Sequence, residues 1–269
     1  MTTGTLVLLF VIIFLVGLVF SMFGQGGGSF FVPIMVAFAI PFHDAASTSL
    51  FILMATSISA TVVYARSKMV DWKLALVIDP ITDILAFVSG YFAIRVSGSI
   101  LKVLFALVLL LSSYFMFKPV TSDKAGGPQR RKFGTWYRRF GGYEYHANLL
   151  LAIPLSGAAG ILAGLLGISC GLFKVPLLVL LCGVPMKVAV ATSSFMVALT
   201  GLGGFLGHSI SETINWKLAI LLSVAAFVGA QIGSRVSVRM DKRVLKKLFG
   251  AVSYTHLRAH ETSLHLVCR

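Results

Sequence analysis

A glycine-rich stretch inside a long apolar run constrains the fold of this chain more than any other feature. Residues 24–33 read G-Q-G-G-G-S-F-F-V-P, with hydrophobic residues before them from Leu6 and after them to Ile40. If the run lies in a bilayer, the glycines cannot be a solvated loop. Irregular backbone persists at membrane depth only where protein buries it or where it lines a cavity. The pattern therefore predicts a broken helix in the interior of a membrane protein.

The composition places the chain among membrane proteins. Hydrophobic residues make up 57% of the chain and charged residues only 12%, whereas a soluble domain carries roughly 25% charged residues. Apolar stretches of about 18 residues or more recur, each long enough to cross a bilayer. We therefore predict an all-α polytopic membrane protein. The net charge of +14 comes from basic residues at segment ends and in one loop, as the positive-inside rule expects, so it does not call for a nucleic-acid partner.

The glycine-rich stretch has a second copy downstream. Residues 167–176 read G-I-S-C-G-L-F-K-V-P, which places Gly167 and Pro176 at one constant offset from Gly24 and Pro33. The motif W-K-L-A at residues 72–75 recurs at 216–219, and T-S at 48–49 recurs at 192–193. The chain is therefore an internal duplication with about five segments in each half, and glycine-broken helices lie at its centre.

The duplication defines four regions. Residues 1–117 form the first transmembrane repeat, and residues 118–148 form a basic linker with glycines. Residues 149–252 form the second repeat, whose final span is truncated. Residues 253–269 replace the apolar helix that the repeat predicts there, so we interpret them as a non-native tail. A contact between anionic lipids and the basic linker is the other interpretation of its charge.

The number of segments sets the orientation of the halves. An odd number of crossings in each half turns the second copy over relative to the first. Placing the basic linker in the cytoplasm also places Arg66, Lys68 and Lys73 there, with Arg95 and Lys102 as exceptions outside. We expect inverted repeats in the cell inner (cytoplasmic) membrane, with the N-terminus outside.

The two breaks predict an anion site. Glycine lets backbone approach a ligand closely, and a helix that starts after the break presents free N–H groups with a partial positive charge of about half an electron. Two facing breaks would hold one small oxyanion. The alternatives are plain kinks and, for the hydroxyl residues, packing through small side chains. The candidate substrate-binding residues are Gly24, Gln25, Gly26, Gly27, Gly28, Pro33, Thr48, Ser49, Gly167, Ser169, Cys170, Gly171, Lys174, Pro176, Thr192, Ser193 and Ser194.

Three charged residues in apolar segments are further candidates. Lys174 follows the second break, where it would pair with substrate charge or else snorkel to the interface. Asp79 and Asp83 lie one helical turn apart. They are either a proton-coupling pair or structural partners of Lys174 or Arg95, and the sequence leaves both interpretations open.

The sequence contains no motif that is typical of an enzyme active site. There is no nucleophile–base pair, zinc motif or phosphate-binding loop. Cys170, Cys182 and Cys268 lack metal-ligand spacing. We predict that the protein is not an enzyme and uses neither a cofactor nor a metal.

Together these motifs resemble those of a known family. G-x-G-G-G-x-x-x-V-P at 24–33, G-x-x-x-G-x-x-K-V-P at 167–176, A-T-S-S at 191–194 and the repeated W-K-L-A are similar to the sulfite exporter TauE/SafE family, also called the toluene sulfonate uptake permease family. The resemblance covers about residues 5–251. The second break departs from the family pattern, since Ile168, Ser169 and Cys170 stand where glycines are more usual.

The resemblance implies a permease of a bacterial or archaeal inner membrane for sulfite, thiosulfate or organosulfonates. We expect a secondary transporter that works by alternating access of the two halves, with proton coupling through Asp79 and Asp83. A passive anion channel and a membrane scaffold or assembly factor without transport are the alternatives. The expected partners are a small sulfur-containing anion and the lipid bilayer, and a homo-oligomer is left open.

Overall fold

The computed structural model describes residues 3–117, 134–169, 171–211, 214–241 and 244. Cys170, most of the predicted linker and the predicted tail lie outside the described residues. Within them the chain forms helices and one hairpin. In chain order these are α1 (Thr3–Ser21), α2 (Gly28–Ala37), α3 (Phe42–Arg66), α4 (Trp72–Ile78), α5 (Pro80–Ala93), α6 (Gly98–Phe117), β1 (Thr135–Phe140), β2 (Tyr143–Asn148), α7 (Leu149–Leu166), α8 (Gly171–Leu180), α9 (Met186–Ser211) and α10 (Trp216–Arg239).

Long apolar helices dominate the architecture. Helices α1, α3, α7, α9 and α10 are each long and apolar enough to cross a membrane. Helices α4 and α5 together make a sixth candidate span, bent by 49° between them. The predicted class, an all-α polytopic membrane protein, is confirmed. The bend was not predicted, because the apolar run over 72–96 indicated one segment. Pro80 begins α5, and a proline is well suited to a first helical position.

The order of helices is the same in both halves. A long helix, a ten-residue helix, a long helix and a further span follow one another as α1, α2, α3 and α4–α5, and again as α7, α8, α9 and α10. The packed pairs are α1 with α10, α5 with α7, α3 with α10, α5 with α9, and α3 with α9. Exchanging the halves interchanges the first two pairs, interchanges the next two, and leaves the pair of α3 with α9 unchanged. The opposite orientation of the halves stays a prediction.

Glycines allow the closest helix contacts. A Cβ on Gly17 of α1 would lie 2.9 Å from the carbonyl oxygen of Ala226 on α10. At the equivalent place in the other half, a Cβ on Gly160 of α7 would collide with the carbonyl of Thr82 on α5. Small residues at helix interfaces let backbones approach in this way. The pair of α1 with α10 and the pair of α5 with α7 are therefore both packed closely through a glycine.

A β-hairpin lies where the sequence predicted only a linker. Strands β1 and β2 pair antiparallel with Phe140 opposite Tyr143. The turn is Gly141-Gly142, with φ of 57° and 78°, as a two-residue hairpin turn of the primed type requires. Tyr145 and Ala147 are buried with apolar residues of α4, α8 and α9. The described part of the linker is thus a docked element of the fold.

Candidate functional site

Both predicted breaks interrupt the helices in left-handed backbone. Gly24, Gly26 and Gly27 have φ of 68°, 69° and 83°, and they separate α1 from α2. Gly167 has φ of 68° and ends α7. A residue with a Cβ is disfavoured in this region. The described residues of both breaks are buried.

A serine from each half bonds to the break of the other half. Ser193 Oγ on α9 lies 3.0 Å from the carbonyl oxygen of Gly24, and it also lies within reach of Val190 O in its own helix. Ser49 Oγ on α3 donates to the carbonyl oxygen of Gly167 at 2.8 Å. Ser49 and Ser193 are equivalent positions of the duplication. Irregular backbone at this depth is thus satisfied by hydroxyl donors from the opposite half, as buried carbonyls require.

The two breaks also touch one another. Ser169 Oγ donates to the carbonyl oxygen of Gln25, and it accepts from the N–H of Gly171 at 3.0 Å. A Cβ on Gly28 would lie 2.8 Å from Ser169 N, and a Cβ on Gly171 would lie 2.5 Å from Gln25 Cα. Because Gly28 begins α2 and Gly171 begins α8, the two helix starts are neighbours in the protein interior.

Two buried polar atoms beside the first break lack a partner among the described residues. They are Gln25 Oε1 and Ser57 Oγ. Ser57 lies next to Gly26, since a Cβ on that glycine would be 2.5 Å from Ser57 Oγ. Buried polar atoms almost always have a hydrogen-bond partner, so each exception requires an explanation.

Lys174 is buried and paired. Its side chain, on the first turns of α8, is 1% exposed. The ammonium donates to Asp79, to Met196 O at 3.1 Å and to Thr200 Oγ1 at 2.7 Å. The snorkelling interpretation of Lys174 is therefore wrong. Asp79 is its partner, and the second carboxylate oxygen of Asp79 has no partner within the described part of the chain.

Thr200 joins the second acid to this pair. Its hydroxyl lies 2.9 Å from Asp83 Oδ1, so Lys174, Thr200 and Asp83 form one line of polar contacts. Arg95, the other proposed partner of the acids, instead lies over the rings of Tyr91 and Phe92. Thr200 was not among the residues predicted from the sequence, although Thr56 occupies the equivalent position of the first half and was a signal that could have marked it.

The other predicted residues either form hydrogen bonds with other parts of the chain or are packed within helices. Thr192 Oγ1 accepts from the N–H of Asp71 at 3.0 Å, and Ser194 donates to Val190 O at 3.1 Å. Thr48 is buried. Pro33 and Pro176 lie inside α2 and α8. Among the described residues, no group of three His, Cys, Asp or Glu side chains is placed to hold a metal ion.

Comparisons with known proteins agree with this architecture. The family model described as "Sulfite exporter TauE/SafE" matches residues 9–255. The chain is 34% identical over 233 residues to "Probable membrane transporter protein YunE" of Bacillus subtilis, covering 82% of this chain and 84% of that protein. It is 30% identical over 214 residues to "Probable membrane transporter protein MJ0441" of Methanocaldococcus jannaschii, covering 77% and 73%.

A third relative is "Probable membrane transporter protein YfcA" of Escherichia coli, which is 26% identical over 224 residues, or 81% of this chain and 76% of that protein. These names describe membrane transporters and not enzymes. No solved structure matches the chain.

Proposed function

The chain belongs to the sulfite exporter TauE/SafE family of membrane transporters, and we propose that it is a secondary transporter of small sulfur-containing anions. Sulfite, thiosulfate and organosulfonates are the substrate class, and the membrane is the cytoplasmic one. The observation that carries the proposal is the meeting of the α2 and α8 starts in the protein interior, through Ser169 and Gln25. Broken helices of corresponding halves that meet in this way are typical of transporter substrate sites.

The anion binds, in this proposal, beside the two touching helix starts, at Gln25 and Ser57. Both starts present N–H groups and the positive ends of helix dipoles. The Gln25 amide and the Ser57 hydroxyl can donate to sulfite or sulfonate oxygens, the amide after a half-turn of its end group. A partner would remove the cost of about 1–3 kcal/mol that each unbonded buried group carries. Ser49 and Ser193 hold the breaks in position.

Lys174 supplies the full positive charge. With Asp79 beside it, the ammonium is already neutralised. When Asp79 takes up a proton, Lys174 becomes free to balance an anion, and loss of the proton returns Lys174 to the carboxylate. The charged and titratable groups that face this position are Lys174 on α8 and Asp83 on α5, with Thr200 on α9 between them. Anion movement is thereby coupled to a proton.

The coupling group belongs to one half only. The positions equivalent to Lys174, Asp79 and Asp83 are Phe31, Ser223 and Phe227. In the proposal the halves are inverted repeats that rock about the breaks, with the linker cytoplasmic and the N-terminus outside. The exchange of helix pairs between the halves supports this arrangement.

Uptake into liposomes tests the proposal. The purified chain is reconstituted, and uptake of labelled sulfite, thiosulfate and sulfoacetate is measured with and without a pH gradient, with acetate as the control anion. We expect saturable uptake of the sulfur anions that responds to the gradient. Flux that is neither saturable nor sensitive to the gradient indicates a passive channel. Absence of flux for every anion contradicts the transporter proposal.

Two substitutions test the roles of the charged groups. Asp79→Asn should leave anion uptake insensitive to the pH gradient, because the proton site is removed. Lys174→Met should abolish uptake. Lys102→Met, at an exposed position of α6, is the matched control and should behave as the parent. An Asp79→Asn variant with the parent's dependence on the gradient would exclude the coupling role.

A further inference from the structure

The hairpin β1–β2 is attached to the membrane helices at one buried carboxylate. Asp71, at the start of α4, is 1% exposed. It accepts from Arg138 through both Nε, at 3.2 Å, and Nη2, and it accepts from the Tyr145 hydroxyl. It also caps α4 by accepting from the N–H of Leu74 at 3.1 Å. Two side chains of the hairpin thus converge on one acid.

Asp71 connects the hairpin to both parts of the candidate site. Its N–H donates to Thr192, the residue before Ser193, which bonds to the first break. Helix α4 is only seven residues long, about 10 Å, and Asp79 follows its last residue. One end of α4 is therefore held by the hairpin and the other end by Lys174.

The equivalent position in the second half is uncovered. Asn215 caps α10 by accepting from the N–H of Leu218 at 3.2 Å, as Asp71 caps α4. Asn215 is exposed, however, whereas Asp71 is buried beneath the hairpin. The two halves therefore share a capped helix start, and of the two starts, as far as the structure describes the chain, the one on the linker side is the buried one.

We propose that the hairpin is a latch on the linker side of the transport path, which opens when Arg138 and Tyr145 leave Asp71. Arg138 and Tyr145 are then positioning residues that hold α4, and Asp79 with it, in the closed arrangement. This inference rests on the proposed transport function. Tyr145 and Ala147 also belong to the buried apolar cluster that contains Leu74 of α4 and Leu178 of α8, so release of the hairpin uncovers part of that cluster.

At neutral pH both hairpin side chains that bond to Asp71 remain hydrogen-bond donors, so the latch stays closed. Burial, together with the hydrogen bond to Asp71, raises the pKa of the Tyr145 hydroxyl, so Tyr145 remains a donor. The Arg138 guanidinium lies 4.7 Å from the centre of the Trp136 ring, a cation–π contact that orients it within the hairpin. A displacement of the hairpin, and not a titration of its donors, is the opening step.

Accessibility of position 147 tests the latch. Ala147 is 0% exposed, so Ala147→Cys in a chain without its three native cysteines should react slowly with a membrane-impermeant maleimide. Adding Asp71→Asn keeps a good cap for α4, as Asn215 shows for α10, but removes the charge that Arg138 needs. We expect the labelling rate to rise at least about tenfold, and to rise less with Tyr145→Phe. Arg139→Ala, at a neighbouring side chain that is 77% exposed, should leave the rate unchanged.

A kinetic measurement separates the latch from general destabilisation. Asp71→Asn should lower KM for anion offered on the linker side and raise KM for anion offered on the other side, because apparent affinity follows the competent fraction. A merely structural role would reduce uptake from both sides without moving the ratio of the two KM values. Unchanged labelling in Asp71→Asn, or an unchanged KM ratio, overturns the latch. If the parent moves no anion, the proposed function fails, and labelling alone decides whether Asp71 holds the hairpin.

Discussion

Removing one partner of the Lys174–Asp79 pair should cost far more stability than removing both. The two side chains are 1% and 0% exposed, so neither remaining charge can turn to water. Breaking such a pair by removing one partner costs about 3–5 kcal/mol, whereas replacing both partners with uncharged groups is often close to neutral. At roughly 2–4 °C for each kcal/mol in a chain of this size, either single variant should melt roughly 6–20 °C below the parent.

The structure also ranks the two single variants. Lys174→Met leaves Asp79 without a donor on either oxygen, because Oδ2 has none within the described residues and Lys174 serves the other. Asp79→Asn leaves the ammonium with Met196 O and Thr200 Oγ1. Lys174→Met should therefore be the less stable of the two. The singles sum to about 6–10 kcal/mol, and the double variant should recover most of that sum, because replacing both partners is close to neutral.

Thermal unfolding in detergent, followed by tryptophan fluorescence, measures these differences. Lys102→Met removes an exposed lysine and should melt with the parent. Single variants that melt within about 2 °C of the parent, or a double variant that equals the sum of the singles, would refute the account of a buried pair. Uptake gives the second criterion. The double variant should be stable yet unable to couple anion to proton, and parental transport by it would remove the pair from the mechanism.

Three further predictions concern the breaks, the packing and the second acid. Ser193→Ala removes the hydroxyl donor of the first break and should cost about 1 kcal/mol with slower sulfite uptake. Ser223→Ala is the control for both readouts, because the Ser223 hydroxyl donates to Ile220 O of its own helix. Gly160→Val should cost more than about 2 kcal/mol in the melting assay, because it separates α7 from α5. Gly4→Val, which meets no atom within 4 Å, should cost nothing. Asp83→Asn should weaken the dependence of uptake on the pH gradient without abolishing it, and full loss would assign Asp83 the primary proton site.

Much of the helical architecture was predictable because a bilayer permits few alternatives. Apolar runs had to become helices, and glycines within them had to be buried. The duplicated order made the second break predictable from the first. The bend between α4 and α5 was not predictable in the same way. Pro80 is well suited to the first position of a helix, but the apolar run around it gives no sign that one helix ends and another begins. A continuous hydrophobic pattern does not reveal where a helix restarts.

The sequence did not predict the hairpin, and it did not decide which residue pairs with Asp79. Residues 135–148 carry a Gly-Gly turn between two short strands, which is a hairpin signal, but their basic charge indicated a linker. Asp79 and Lys174 were both candidates, yet they lie 95 residues apart in the chain. The sequence offered Arg95 as an equal partner, and only the fold, which brings Lys174 on α8 to Asp79 between α4 and α5, decides between them.

The bonds of Ser193 to the first break and of Ser49 to the second break have a consequence for the synthesis of the protein. The carbonyl of Gly24 receives its donor from Ser193, 169 residues later in the chain, which at about 5–20 residues per second is roughly 8–34 s of synthesis. During that interval the broken helix of the nascent first half lacks the hydroxyl donor of its Gly24 carbonyl, which the bilayer cannot supply. A chain stopped before α9 therefore ends as a substrate for membrane proteolysis, and a separately expressed second half should rescue it.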